Sequence, residues 1–263
     1  HWKDTPGKRL SADLIAGLPD QTAASFKAGA EELCSSYSLD HLSLYTLTIE
    51  EGTPLERRIA RGQVRWNSEK ADRMWLSGRS ILEKHGFLQY EVSNFARPGF
   101  ESRHNSVYWH LENYIGCGAG ASGSWYGKAK SDGSPGCEAG LRWTNTRDIP
   151  AYIDFWTQNA KNRPAAIRSD SIPRETEILS SETQQFEYLM LGLRLREGIE
   201  DEDFHSRFNR KVTDVLGADK EEGVFRRWQK QKLARTSRRG GKSSYALTGR
   251  GILLLDRFLE ELL

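Results

Sequence analysis

Apolar positions in the first hundred residues alternate between short strand-like runs and stretches with helical spacing. RLSADLIAGLP (9–19) has the pattern of a buried strand, ended by Gly17 and Pro19. Thr22 is placed to cap a helix in which Phe26, Ala30 and Leu33 share a face. HLSLYTLTI (41–49) repeats the strand pattern. Gly52 then turns the chain, and Thr53-Pro54 opens a helix with proline at its first position. Asn67 or Ser68 caps a longer helix carrying Met74, Trp75, Ile81 and Leu82, with Gly86 as its stop. FLQYEVSNFA (87–96) reads as a third strand. Strand, helix, strand, helix, strand predicts parallel βα units, hence a layered or barrel α/β domain.

Beyond this the pattern loosens. Residues 124–148 are rich in Gly, Ser and Asp and predict a loop or short hairpin. DIPAYIDFWTQNA begins a helix, and the polar IRSDSIPRETEILSSE (167–182) predicts a bridge to a second unit. Ser181 with Gln184 forms a capping box for an amphipathic helix, FEYLMLGLRLREG. Short helices follow, then two strands, KLARTS and SSYALT, joined by RRGGK, and a last helix, GILLLDRFLEELL. Helices, hairpin and helix in that order predict a winged-helix-like domain, so the expected division is 1–175 and 176–263. No repeat of fixed period and no low-complexity tract interrupts the chain.

Composition narrows the function classes. With 37% hydrophobic and 28% charged residues, the chain suits a soluble globular protein. It holds no apolar run long enough to span a bilayer, and HWKDTPGKRL lacks the apolar region of a signal peptide, so a cytoplasmic protein is expected. A net charge of +2 makes any nucleic-acid argument a local one. The three cysteines, Cys34, Cys117 and Cys137, are odd in number and widely spaced, which predicts no disulfide framework and a reducing compartment. An iron–sulfur cluster needs three or four thiolates, usually gathered in one loop, and no CxxC or CxxxCxxC is present. The six histidines are dispersed, and GxSxG, HExxH and Walker motifs are missing, which leaves hydrolytic and phosphoryl chemistry without support.

Some stretches carry chemistry. HNSVYW (104–109) puts His104 beside Tyr108 and Trp109. Imidazole is a common axial ligand of heme iron, and aromatic rings pack on a porphyrin face. The alternative is a turn at Asn105 and Ser106 with both rings in the core. GCGAGASG (116–123) contains GxGxxG at Gly118, Gly120 and Gly123. A dinucleotide fingerprint needs a helix next, and SWYGKAKSDG is a poor one, so these glycines are read as allowing close backbone approach to a ligand or strand. Asp13 stands in a strand motif, where a carboxylate can accept from ribose hydroxyls or simply hold a loop. FRRWQKQKLARTSRRGGK (225–242) has eight basic residues and no acidic one, with Arg238, Arg239 and Lys242 at the hairpin tip. It is either a solvated charged face, the better reading, or a phosphate-binding wing.

DLIAGLPDQT (13–22), HLSLYTLTIEEGTPL (41–55), YEVSNFARPGFESRHNSVYW (90–109), GCGAGASG and LTGRGILLLDRFL (247–259) together resemble, in order, radical-SAM proteins of the HemW heme-chaperone type. These are relatives of oxygen-independent coproporphyrinogen III oxidase. HNxxYW points to the chaperone branch. The resemblance implies the C-terminal part of a partial TIM barrel, with 9–19 matching about the fifth strand and 41–49 the sixth, followed by the winged-helix-like domain. It assigns Asp13, Thr48 and Ala121 to S-adenosylmethionine, and His104, Tyr108 and Trp109 to heme. Many relatives carry histidine where Ser122 stands, which leaves that position without a role. The CxxxCxxC segment that holds a [4Fe–4S] cluster has no counterpart here. The expectation is therefore a shortened chain, inactive alone and without a cluster, that binds heme or porphyrin and passes it to an acceptor protein. An open barrel edge would invite a homodimer. Radical oxidative decarboxylation of a porphyrinogen is the second reading, and a nucleic-acid module the third.

Overall fold

The computed structural model describes residues 8–159 and 171–262, and these fall into two compact units, within His1–Ser102 and Arg103–Leu263.

The first unit holds β1 (Ser11–Ala16), α1 (Ala23–Ser36), β2 (His41–Thr46), α2 (Pro54–Ala60), α3 (Ser68–Lys84), β3 (Leu88–Gln89) and β4 (Asn94–Ala96). Local sequence sets the helix starts. Thr22 Oγ1 accepts from the Ser25 N–H while Ser25 Oγ accepts from the Thr22 N–H, a reciprocal cap. Thr53 caps α2 with Pro54 at its first position, and Asn67, not Ser68, caps α3. Gly86 follows α3 with φ +83°, a left-handed turn that glycine adopts without penalty.

The sheet order is β1-β2-β4-β3. β1 and β2 are parallel, with Ser11 opposite His41 and Ala16 opposite Thr46. One face is apolar: Ala16, Leu42, Leu44 and Phe95 pack against Phe26 of α1 and Met74, Trp75 and Leu82 of α3. Each such side chain contributes about 1.5–3 kcal/mol on burial. The indole N–H of Trp75 donates to the Leu44 carbonyl at 2.9 Å, which ties α3 to the sheet.

The third strand departs from expectation. Residues 87–96 are not one strand but a tight hairpin, β3 and β4, and β4 pairs antiparallel with β2. The Tyr90 N–H donates to the Asn94 carbonyl, and the Glu91 carboxylate accepts from the Ser93 N–H, so polar groups within the run make a turn that alternation alone does not show.

The second unit comprises α4 (Arg103–Trp109), β5 (Ser122–Trp125), β6 (Gly140–Asn145), α5 (Ile149–Asn159), β7 (Arg174–Leu179), α6 (Ser181–Gly192), β8 (Ile199–Glu200), α7 (Asp201–Phe208), α8 (Val212–Leu216), α9 (Val224–Lys230), β9 (Ala234–Arg239), β10 (Lys242–Leu247) and α10 (Leu255–Leu262). β5, β6 and β7 form an antiparallel sheet, and a second sheet has the order β8-β10-β9. Short helices, hairpin and final helix come in the expected order. Gly240 and Gly241, both at positive φ, close β9 onto β10. Trp228 and Phe258 meet edge to face at 4.9 Å in the core between α9 and α10.

Three further expectations change. The supposed polar bridge contains β7, so the boundary at 175/176 falls inside a strand that pairs with β6 from Asn145↔Arg174 to Gly140↔Leu179. Ser180, not Ser181, caps α6, through the Thr183 N–H. Gln184 instead accepts from the Gly127 N–H and donates to the carbonyls of Glu138 and Leu179, because it is buried beside the sheet. α6 also stops at Gly192, and its buried residues, Gln184, Gln185, Tyr188, Leu189 and Gly192, share one face. Ala160, residues 167–170 of the bridge and the side chain of Arg239 lie outside the described residues. Among the described residues, no helix is long and apolar enough to cross a membrane.

Candidate functional site

The sequence-derived candidates divide between the units. Asp13 and Thr48 are in the first. Asp13 is the third residue of β1, the outer strand of its sheet, and is exposed. It lines a groove of about 480 Å³ with Leu18, Gln21 and Tyr37. β2 ends at Thr46, earlier than its apolar pattern implies, so Thr48 lies two residues past the strand, exposed in the following loop. That loop is tied back by the Leu47 N–H donating to the Ala16 carbonyl. Both residues are therefore accessible, and Thr48 lies beyond the C-terminal end of a parallel strand, where ligand contacts gather in α/β folds.

On the same sheet His41 meets Tyr90, with 2.9 Å between Nε2 and the hydroxyl. Burial lowers the His41 pKa, against the opposing charge of Asp13, and burial pushes Tyr90 up to about 12. The Tyr90 oxygen also accepts from the Ser102 N–H.

His104, Tyr108, Trp109 and Ala121 are in the second unit. HNSVYW is helical, since α4 spans Arg103–Trp109, and is neither a turn nor a fully buried segment. Helical spacing places His104 and Tyr108 four residues apart on one face. Their rings meet edge to face at 5.0 Å, with 3.3 Å between the hydroxyl and Nε2. Tyr114 extends the stack, 4.8 Å from Tyr108. Trp109 lies apart from this pair: its indole N–H is buried without a hydrogen-bond partner, and Arg194 sits over its ring at 5.9 Å.

The glycine-rich loop runs into β5, not a helix, so the dinucleotide reading fails here too. Its glycines allow close backbone packing. A Cβ on Gly116 would strike the Ser122 backbone, and one on Gly123 would strike the Trp143 ring. The loop is fixed by the Asn145 amide donating to the Gly118 carbonyl at 2.9 Å and by the Gly118 N–H donating to the Tyr152 hydroxyl. Ala121 is held through its carbonyl, which accepts from the Asn145 N–H.

His110 escapes the sequence reading, although it stands directly after Trp109. Its Nδ1 is 2.8 Å from the Ser106 carbonyl and its Nε2 is 3.1 Å from Glu197. The Glu197 hydrogen bond raises the His110 pKa, outweighing partial burial, and the same bond lowers that of Glu197. This ion pair anchors the C-terminal end of α4.

Cofactor fit differs by group. Asp13 and Thr48 offer an acceptor and a small polar side chain where a nucleoside could lie. Cys34 and Cys137 are buried and Cys117 is exposed. Among the described residues, no group of three or more His, Cys, Asp or Glu could hold a metal ion. These residues do not fit a cluster.

Residues 179–239 match the HemN C-terminal domain family. The chain is 35% identical to heme chaperone HemW of Lactococcus lactis over 80% of its own length and 49% of that protein. It is 33% identical to the mitochondrial radical S-adenosyl methionine domain-containing protein 1 of Bos taurus, over 98% of this chain and 53% of the other. The chain thus spans about half the length of the curated relatives it matches. The fold is similar to that of coproporphyrinogen III oxidase (HemN) from Escherichia coli, with a TM-score of 0.61 over 96% of this chain and 54% of that one, at 15% identity.

Proposed function

We propose, from the premise that the chain is a HemW-like relative of the radical-SAM proteins, that it serves in heme handling: it binds heme or a related porphyrin and passes it to an acceptor protein in the cytoplasm. The observation that carries this reading is the α4 face on which His104 presents an exposed imidazole against Tyr108, with Tyr114 stacked behind Tyr108. A neutral imidazole can ligate iron, while aromatic edges pack against a macrocycle. Trp109 contributes through packing, since Arg194 covers its ring.

S-adenosylmethionine, with a reduced cluster, supplies one-electron chemistry in radical-SAM proteins. On this reading Asp13 and Thr48 of the first unit would contact it. The dispersed thiols give no basis for a cluster-dependent step in this chain, and reductive cleavage of S-adenosylmethionine is not expected of it alone. Among the described residues β1 is the outer strand of its sheet, and a homodimer paired there is part of this reading. The oxidase reading ranks second, because the solved oxidase is similar in fold at 15% identity and the family match covers residues 179–239 alone. The hairpin is not read as a nucleic-acid wing, because Lys242 is engaged by Glu200 at 3.1 Å and Glu202 at 3.5 Å.

Hemin titration followed by Soret absorbance tests the assignment. Wild type is expected to shift the band with saturation, and His104→Ala to weaken binding about tenfold or more and alter the band position. Identical spectra and affinities for both proteins would remove His104 as the ligand.

A further inference from the structure

The helix that carries HNSVYW ends on a residue ill suited to its backbone. The Leu111 N–H donates to the Tyr108 carbonyl and the Glu112 N–H to the Val107 carbonyl, the pair of bonds that closes a helix through a left-handed residue. That residue is Leu111, at φ +52°. Glycine is the usual occupant, because a side chain there crowds the backbone. Leu111 is also buried. A strained residue of this kind persists only where its surroundings over-determine it.

Those surroundings come from the C-terminal part of the same unit. Arg207, on α7, lies 96 residues further along the chain and donates from Nη1 to the Leu111 carbonyl at 3.0 Å. Its guanidinium also lies over the Tyr188 ring, 5.1 Å from the centroid, and Tyr188 packs edge to face on Phe204 and Phe208. The cation therefore rests on a rigid aromatic base. Among the described residues no carboxylate pairs with it. A guanidinium is matched in shape and charge to a carboxylate. This one is committed instead to a neutral carbonyl at the C-terminal end of a helix, where the backbone dipoles favour a cation. His110, next to Leu111, is held by Glu197, and Arg194 covers Trp109. All three contacts grip the same end of α4. The helix is only seven residues long, so rotating that end swings His104 by the same angle.

We propose that Arg207 is a positioning residue for the heme site: it locks the left-handed turn at Leu111, and with it the direction in which α4 presents the His104 imidazole. The inference rests on the reading that His104 ligates heme, and it adds what pre-aims the imidazole. Arg207 acts through Leu111 and the helix, not on the ligand. A ligating group that must be ordered during binding costs affinity that a pre-aimed one keeps.

The test is a double-mutant cycle in hemin titration of the full chain, read by affinity and Soret position, on variants that keep the wild-type circular dichroism. Arg207→Met is expected to weaken binding roughly tenfold and to move the band toward that of His104→Ala, while Arg207→Lys, whose ammonium still donates, stays near wild type. His104→Ala combined with Arg207→Met should bind no more weakly than His104→Ala alone, since no imidazole is left to aim. Hydrogen exchange followed by mass spectrometry should rise across 104–112 in Arg207→Met. If Arg207→Met does not keep the fold, Arg207→Gln, shorter and uncharged, takes its place in the cycle. Wild-type affinity and band in the folded variant, or losses that add in the double variant, would overturn the positioning role while the His104 reading stands. If wild type does not bind hemin, or His104→Ala binds as wild type does, that reading falls and the positioning role with it.

Discussion

His110 Nδ1 faces the Ser106 carbonyl and Nε2 faces the Glu197 carboxylate, so both partners are satisfied only when both ring nitrogens carry protons. The pH dependence follows from the two shifts. The His110 pKa is raised from 6.5, so its contribution is complete below 6.5 and fades as pH climbs through the higher folded value. The Glu197 pKa is lowered from 4.5, so its contribution is complete above 4.5 and fades as pH falls through the lower folded value. The pair is strongest between those two unfolded values. With side chains 39% and 70% exposed, it is worth only about 0.5 kcal/mol after solvent screening. His110→Gln should lower the melting temperature more at pH 6 than at pH 9, and thermal scans at both values check this. An equal loss at the two pH values would show that His110 acts through packing instead.

At the scale of elements, the β5–β6 ladder depends on a missing side chain. Trp143 lies across Gly123, its cross-strand partner, in the space a Cβ would fill. Gly123→Ala must push the indole or the strand aside, and overpacking of this kind costs about 1–3 kcal/mol. Urea unfolding should show that loss, and Gly123→Ala combined with Trp143→Leu should recover part of it, because the smaller side chain vacates the clash. Gly118→Ala has open space around its Cβ, although its φ of +112° brings backbone strain. It separates the conformational role of a glycine from the steric one. Sequence reading took the whole GCGAGASG stretch as close-approach glycines. The structure distributes the reasons: contact at Gly116 and Gly123, and positive φ at Gly118 and Gly120.

Across the whole molecule, the thiols report on each unit separately. Cys34 is buried in the core of the first unit and Cys137 is buried in the second, while Cys117 is exposed. Burial holds the Cys34 and Cys137 thiols above their ordinary pKa, which suppresses the reactive thiolate. Under native conditions, thiol-reactive dye should label Cys117 alone. Denaturant should then release Cys34 and Cys137 as their own units open, read by peptide mass mapping; fast native labelling of either would contradict its burial. The sequence by itself determined the helix starts at Thr22 and Thr53, the β9–β10 hairpin, the first two strands and the family likeness, because caps, glycine turns and apolar spacing act within a few residues. Only the tertiary structure decided that 87–96 folds back as a hairpin, that the polar 174–179 is a strand, that His110 holds α4 to Glu197, and that Arg207 reaches the Leu111 carbonyl. The turn in 87–96 is made by near neighbours that alternation does not reveal; the other three depend on partners distant in sequence, and strand register and ion pairing between distant residues leave no mark on local periodicity.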